Sequence, residues 1–113
     1  MVFFIGFRGH DGRSLEDLSI RMHVYLINVD IRLPGCRSLK DKRSRVSGAK
    51  KRLGRESHLA IAEVDTHDQH GLSSWQVVLI APDQALFSKR RDALEKELLL
   101  VDGELVRFEV EQI

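Results

Sequence analysis

A single cysteine, Cys36, is the only thiol in this chain. It excludes an intrachain disulfide and fits a reducing compartment, so a cytoplasmic setting is expected. Proline occurs twice, and aromatic residues make up only 6%. No apolar run approaches the ~20 residues that span a bilayer, so a membrane partner is not expected. The opening "MVFFIGF" is apolar but has no basic residue before it and is cut short by Gly6 and Arg8, which makes a poor signal peptide. Missing too are a P-loop, a dinucleotide fingerprint and any nucleophile–base motif, so nothing points to an enzyme or a cofactor.

What is present is a composition for one globular domain: 113 residues, 42% hydrophobic and 31% charged. Residues 1–21 show no sustained period, and Gly6, Gly9 and Gly12 disfavour regular structure. They read as an N-terminal extension, disordered or the product of a start placed too far upstream, with one helical turn conceivable at Leu15, Leu18 and Ile20. The domain proper is expected over residues 22–113.

From Met22 the pattern becomes regular. In "HVYLINVDIRLPG" Tyr25, Ile27, Val29, Ile31 and Leu33 share one parity, which predicts a half-buried strand closed by Pro34-Gly35. Ser38 then reads as a helix cap, with Asp41 three residues on. Leu39, Val46, Ala49 and Leu53 fall on one helical face, and Gly54 offers a stop. Strands are predicted at 58–65 and 74–81, joined by a polar loop. A second helix capped by Asp83 carries Phe87, Leu94, Leu98 and Val101 as its buried stripe, and Gly103 breaks it. The last strand, 104–113, turns Val106, Phe108 and Val110 inward and Arg107, Glu109 and Glu111 outward. The order βαββαβ predicts a ferredoxin-like α+β fold, two helices on one face of a four-stranded antiparallel sheet.

Charge is segregated. The formal net charge is +1, yet nine of the eighteen Lys and Arg residues lie between Arg37 and Arg55, opposed there only by Asp41. A solvated helix ordinarily interleaves acids at i,i+4 spacing; neighbouring cations without them repel by a few tenths of a kcal/mol per pair. The sequence therefore nominates Arg37, Lys40, Arg45, Lys51, Arg52 and Arg55 as phosphate contacts for RNA or another polyanion. The competing reading is an ordinary solvated face whose long stems cover apolar surface. Lys42 falls inside the apolar stripe. It either snorkels to solvent or pairs with a carboxylate on the second strand, Glu63 or Asp65.

"MHVYLINVDIRLPGCRSLKDKRSRVSGAKKRL", followed by "AIAEVD" and "WQVVLIA", resembles the YlxP-like family of small bacterial proteins of unknown function. Members open with Met-His-Val, run into an "LPG..SLK.KR" segment, and continue with an "AEVD" strand and a Trp-Gln pair. The match runs from Met22 to Ile113. It implies a ferredoxin-like fold and a bacterial cytoplasmic setting. Genes of the family tend to lie beside those for initiation and ribosome-binding factors, which implies a role near translation. The chain departs from that pattern in residues 1–21 and in the loop "THDQHGLSS", which is longer than the family's usual turn.

Other features carry less. "DTHDQH" places Asp65, His67, Asp68 and His70 in one loop, near His58, but the spacing matches no metal motif, so no metal site is assigned. Cys36 precedes a helix start beside Arg37, yet no resolving thiol exists. The open sheet face, with Asn28, Asp30, Arg32, Arg107, Glu109 and Glu111, is acidic and lacks a ladder of stacking aromatics; Glu63 and Asp65 would join it if Ala60, Ala62 and Val64 face the helices. That excludes base stacking in the manner of an RNA-recognition motif. The sequence thus favours a non-enzymatic accessory protein that docks a basic helix on RNA or a ribosomal particle. The alternative is a protein-interaction or homodimerisation module acting through the open sheet face or an edge.

Overall fold

The computed structural model describes residues 22–113. The readings for residues 1–21 lie outside that range. Strand β1 spans His23–Arg32, helix α1 Leu39–Gly54, β2 Leu59–Glu63, β3 Leu72–Ala81, helix α2 Gln84–Leu99 and β4 Glu104–Gln112. The sheet order is β2-β3-β1-β4, and every neighbouring pair is antiparallel. This is the ferredoxin-like α+β architecture, as expected. Among the described residues no helix is long and apolar enough to cross a membrane.

Period-two alternation explains why β1 holds the centre. Tyr25, Ile27, Val29 and Ile31 are all buried, and opposite them in β3 stand Leu79, Val77, Trp75 and Ser73. The helices close over this face. From α1 come Val46, Ala49 and Leu53; from α2 come Phe87, Leu94 and Leu98. Phe87 stacks on Tyr25 with ring centroids 3.7 Å apart. Leu39 was expected to join that stripe but, at the first residue of α1, remains 39% exposed.

Turn chemistry sets the entry into α1. After Leu33 the Pro34-Gly35 pair forms a β-turn in which Cys36 N–H donates to the Leu33 carbonyl at 3.2 Å. Gly35 takes φ +75°, the left-handed value that position i+2 of a type II turn demands. Ser38 then caps α1, its Oγ accepting from Asp41 N–H at 3.0 Å. The Asp41 carboxylate turns along the helix to Arg45, 3.4 Å away. Asp83 caps α2 in the same manner, accepting from Leu86 N–H at 2.8 Å.

The parity expected for β4 shifts within the strand. Asp30 pairs with Arg107 but Ile31 pairs with Leu105, so Val106 is an extra residue at a bulge. Leu105 and Phe108 consequently pack against the core, while Val106 is 50% exposed. Beyond the bulge the expected alternation holds, although Val110 on this edge strand stays 40% exposed.

Gly103, just before β4, lies against the end of β1. A Cβ there would come within 2.8 Å of both the Arg32 carbonyl oxygen and Leu33 Cδ2. A carbonyl in a paired strand cannot yield as a flexible side chain can. Gly103→Ala is expected to destabilise the fold by about 1–3 kcal/mol, read by urea denaturation; an unchanged midpoint would contradict this packing.

Candidate nucleic-acid interface and the ion-pair network behind it

Helix α1 divides its cations between two sides. On the inner side Lys42 is 3% exposed. Its Nζ lies 2.6 Å from Glu63 Oε2 and donates to the carbonyls of Thr66 at 2.6 Å and Gln69 at 2.7 Å. An ammonium has three protons, and here each has an acceptor. Glu63 Oε2 also accepts from the hydroxyls of Thr66 at 3.1 Å and Ser73 at 3.3 Å, and Ser73 Oγ accepts from the Trp75 indole at 2.6 Å. Lys50 reaches the other carboxylate oxygen at 3.3 Å. The network ties α1, β2, β3 and the β2–β3 loop together.

No buried side-chain polar atom among the described residues lacks a partner. The Lys42–Glu63 network is thus satisfied from within the molecule. Burial by itself would push the Glu63 carboxyl up. The Lys42 hydrogen bond and charge, the Lys50 ammonium and the Thr66 hydroxyl outweigh it and hold the carboxyl below its ordinary value.

Of the two acids the sequence offered to Lys42, only Glu63 reaches it. Asp65 takes φ +61° at the centre of a three-residue turn closed by Thr66 N–H on the Val64 carbonyl at 2.7 Å. This hand of γ-turn is uncommon and strained, and aspartate tolerates it better than most residues. The turn leaves Asp65 exposed, and it forms no ion pair among the described residues. β2 therefore faces opposite to one arrangement considered from sequence: Glu63 lies on the helix side, whereas Ala60 and Ala62 look out from the open face.

The six residues nominated for phosphate contacts separate into two groups. Arg45 is largely covered. Its guanidinium donates to the Pro34 carbonyl at 2.8 Å and lies 3.4 Å from Asp41 and 3.8 Å from Asp102, bracing the turn before α1 against the loop before β4. Arg52 meets both oxygens of Glu97 at 3.0 and 3.1 Å and joins α1 to α2. Both guanidinium groups are engaged within the molecule. The remaining four, Arg37, Lys40, Lys51 and Arg55, are exposed and have no carboxylate within ion-pair distance among the described residues.

Sequence reasoning missed Arg43, which is exposed and likewise without an acidic partner among the described residues. Its signal was legible: it lies one turn after Lys40. Ser44, Ser47 and Gly48 fall among these cations on the same side of α1, at ~100° per residue. Such small residues leave the helix backbone uncovered between the long cations.

The open sheet face offers less. Tyr25, Trp75 and Phe108 all point to the helix side, so no aromatic of these strands is presented for stacking. Arg107 lies 3.7 Å from Asp30 and 2.8 Å from Glu109, which compensates part of that face's negative charge. In the β2–β3 loop, His67, Asp68 and His70 are exposed and separate, with His70 Nδ1 3.4 Å from the Cys36 carbonyl. Among the described residues no three His, Cys, Asp or Glu side chains converge. Cys36 is buried, and its thiol donates to the Ser38 carbonyl at 3.4 Å.

Fold and site together define a small ferredoxin-like α+β domain with a cationic first helix locked to its sheet by a buried ion pair. The chain belongs to the family described as protein of unknown function (DUF503), whose model matches residues 24–110. No curated protein matches it. Among solved structures it is similar to the de novo designed protein Foldit4, at 16% identity over 81% of this chain and 96% of that one, with a TM-score of 0.48.

Replacing Glu63 with Gln leaves the Lys42 ammonium buried without its counter-charge, and should cost about 3 kcal/mol at pH 7 by urea denaturation. Glu63 binds its proton less readily folded than unfolded. Its contribution is thus complete above the ordinary value of 4.5 and is lost as pH falls through the lower folded value. The stability gap between wild type and Glu63→Gln should narrow over that acid range. A gap independent of pH would refute the pairing.

Proposed function

We propose that the domain is a non-enzymatic RNA- or ribonucleoprotein-binding accessory protein that docks the outward face of α1 on phosphates. One observation carries the reading. Arg37, Lys40, Arg43, Lys51 and Arg55 project from one exposed side of the molecule with no acidic partner among the described residues, while the neighbouring cations Lys42, Lys50, Arg45 and Arg52 all have one. A chain able to neutralise four of its cations internally leaves the others uncompensated despite their mutual repulsion. A phosphate backbone offsets that repulsion and releases counterions as it binds. The resemblance to the YlxP-like family, whose genes tend to lie beside those for translation factors, supports a structured RNA or ribosomal particle in a bacterial cytoplasm as the setting.

Filter binding of a structured RNA across a salt series tests this. Log K should fall linearly with log salt, and Lys40→Gln, Lys51→Gln and Arg55→Gln should each reduce the slope by roughly 0.7–0.9. Arg52→Gln removes an internal tie, so it should lower thermal stability more than it lowers affinity. Absence of binding at low salt would end the proposal.

A second reading, homodimerisation through the open sheet face, is favoured by one feature. Leu26, Ala60, Val78 and Ile80 form an apolar area at one end of that face, with Val78 38% exposed. Light scattering decides it: a dimer that Val78→Lys converts to monomer supports the reading, and a monomer at every concentration dismisses it.

A further inference from the structure

Beside the cationic face, on the flank of α1, a cleft of about 320 Å³ opens between the helix and the start of the β2–β3 loop. It is lined by Leu39, Lys42, Arg43, Val46 and Lys50 of α1, by Glu63 of β2 and by His67 of the β2–β3 loop. We propose that this cleft binds one nucleotide unit, its phosphate on Arg43, Lys50 and His67 and its base against Leu39.

Five features point to that chemistry. The donors have capacity to spare: Lys50 makes one hydrogen bond, a long one on Glu63, besides lying 6.0 Å from the Trp75 ring centroid, and the Arg43 guanidinium has no acidic partner among the described residues. Lys42 has no proton left to offer, so it shapes the site from beneath without touching the ligand. Lys42, Arg43 and Lys50 against Glu63 leave the lining net positive even with His67 neutral, which suits a phosphate. Leu39, in the lining, remains 39% exposed, an apolar surface for a planar ring. The volume lies at the small end of ligand pockets, room for one nucleotide and no larger cofactor.

The inference rests on the reading of α1 as an RNA-facing helix only in its source of ligand. The nucleotide is either an unpaired residue of a bound RNA, whose backbone would continue onto Lys40 and Lys51, or a free nucleoside monophosphate.

Amide chemical-shift titration of the whole chain with adenosine and guanosine 5′-monophosphate, inorganic phosphate, a single-stranded RNA and an RNA duplex tests it. Saturable shifts at Leu39, Arg43, Lys50 and His67 are expected with a nucleoside monophosphate, and inorganic phosphate should bind at least tenfold more weakly. Arg43→Gln should weaken the nucleotide at least fivefold, whereas Lys89→Gln on α2 should change it by less than twofold. If the RNA strand is the source, single-stranded RNA binds more tightly than the mononucleotide and perturbs the same residues; if it is the free nucleotide, the mononucleotide binds more tightly than either RNA. Nucleotide binding without RNA binding would retain the cleft and remove the proposed function. RNA binding with no saturable nucleotide shift up to millimolar concentration, or nucleotide shifts confined to Lys40, Lys51 and Arg55, would overturn the cleft.

Discussion

The Lys42 ammonium sits where an apolar residue would be expected, and the rest of the site follows from how it is accommodated. Burying such a charge costs several kcal/mol unless paired and fully hydrogen-bonded. Glu63 supplies the counter-charge, and the Thr66 and Gln69 carbonyls take the other two protons. Those carbonyls belong to the β2–β3 loop, so one lysine fixes the loop under the helix. The Ser73 and Trp75 side chains extend the same chain of hydrogen bonds into the sheet. An apolar core residue at this position would pack as well but would leave the loop unanchored.

That arrangement sets how α1 is rotated over the sheet, and the rotation sorts the remaining cations. With Lys42 and Val46 turned inward, Arg45 meets the loop before β4 and Arg52 meets α2. Lys40, Arg43, Lys51 and Arg55 are left pointing outward. The positive segment therefore has two tasks: half of it holds the domain together, and the other half lies on its surface. Net charge conceals this, because the acids that compensate the inner half are distant in sequence and near in space.

Much of the architecture is readable from local pattern. The alternation in β1, the Pro-Gly turn, the caps at Ser38 and Asp83 and the apolar stripe of α2 are nearest-neighbour signals, and the βαββαβ order follows from them. The anomaly at Lys42 is also visible on a helical wheel. Which carboxylate it meets is not, because Glu63 and Asp65 share a parity and only the γ-turn at Asp65 separates them. The bulge at Val106 is invisible for a similar reason: an inserted residue leaves both flanking alternations intact. The engagement of Arg45 by Asp102 and of Arg52 by Glu97 spans 57 and 45 residues of chain. Such contacts depend on how helix and loop dock, which periodicity does not encode.

The division of cations into inner and outer sets is the central claim, and lysine side-chain nitrogens report on it directly. Proton-detected ¹⁵N spectra of the ammonium groups, recorded before and after adding a structured RNA, distinguish the two sets. Lys42 should show a slowly exchanging ammonium unmoved by RNA, while Lys40 and Lys51 exchange freely beforehand and shift upon addition. A freely exchanging Lys42, or an RNA-bound state in which Lys42 moves and Lys40 and Lys51 do not, would contradict the account.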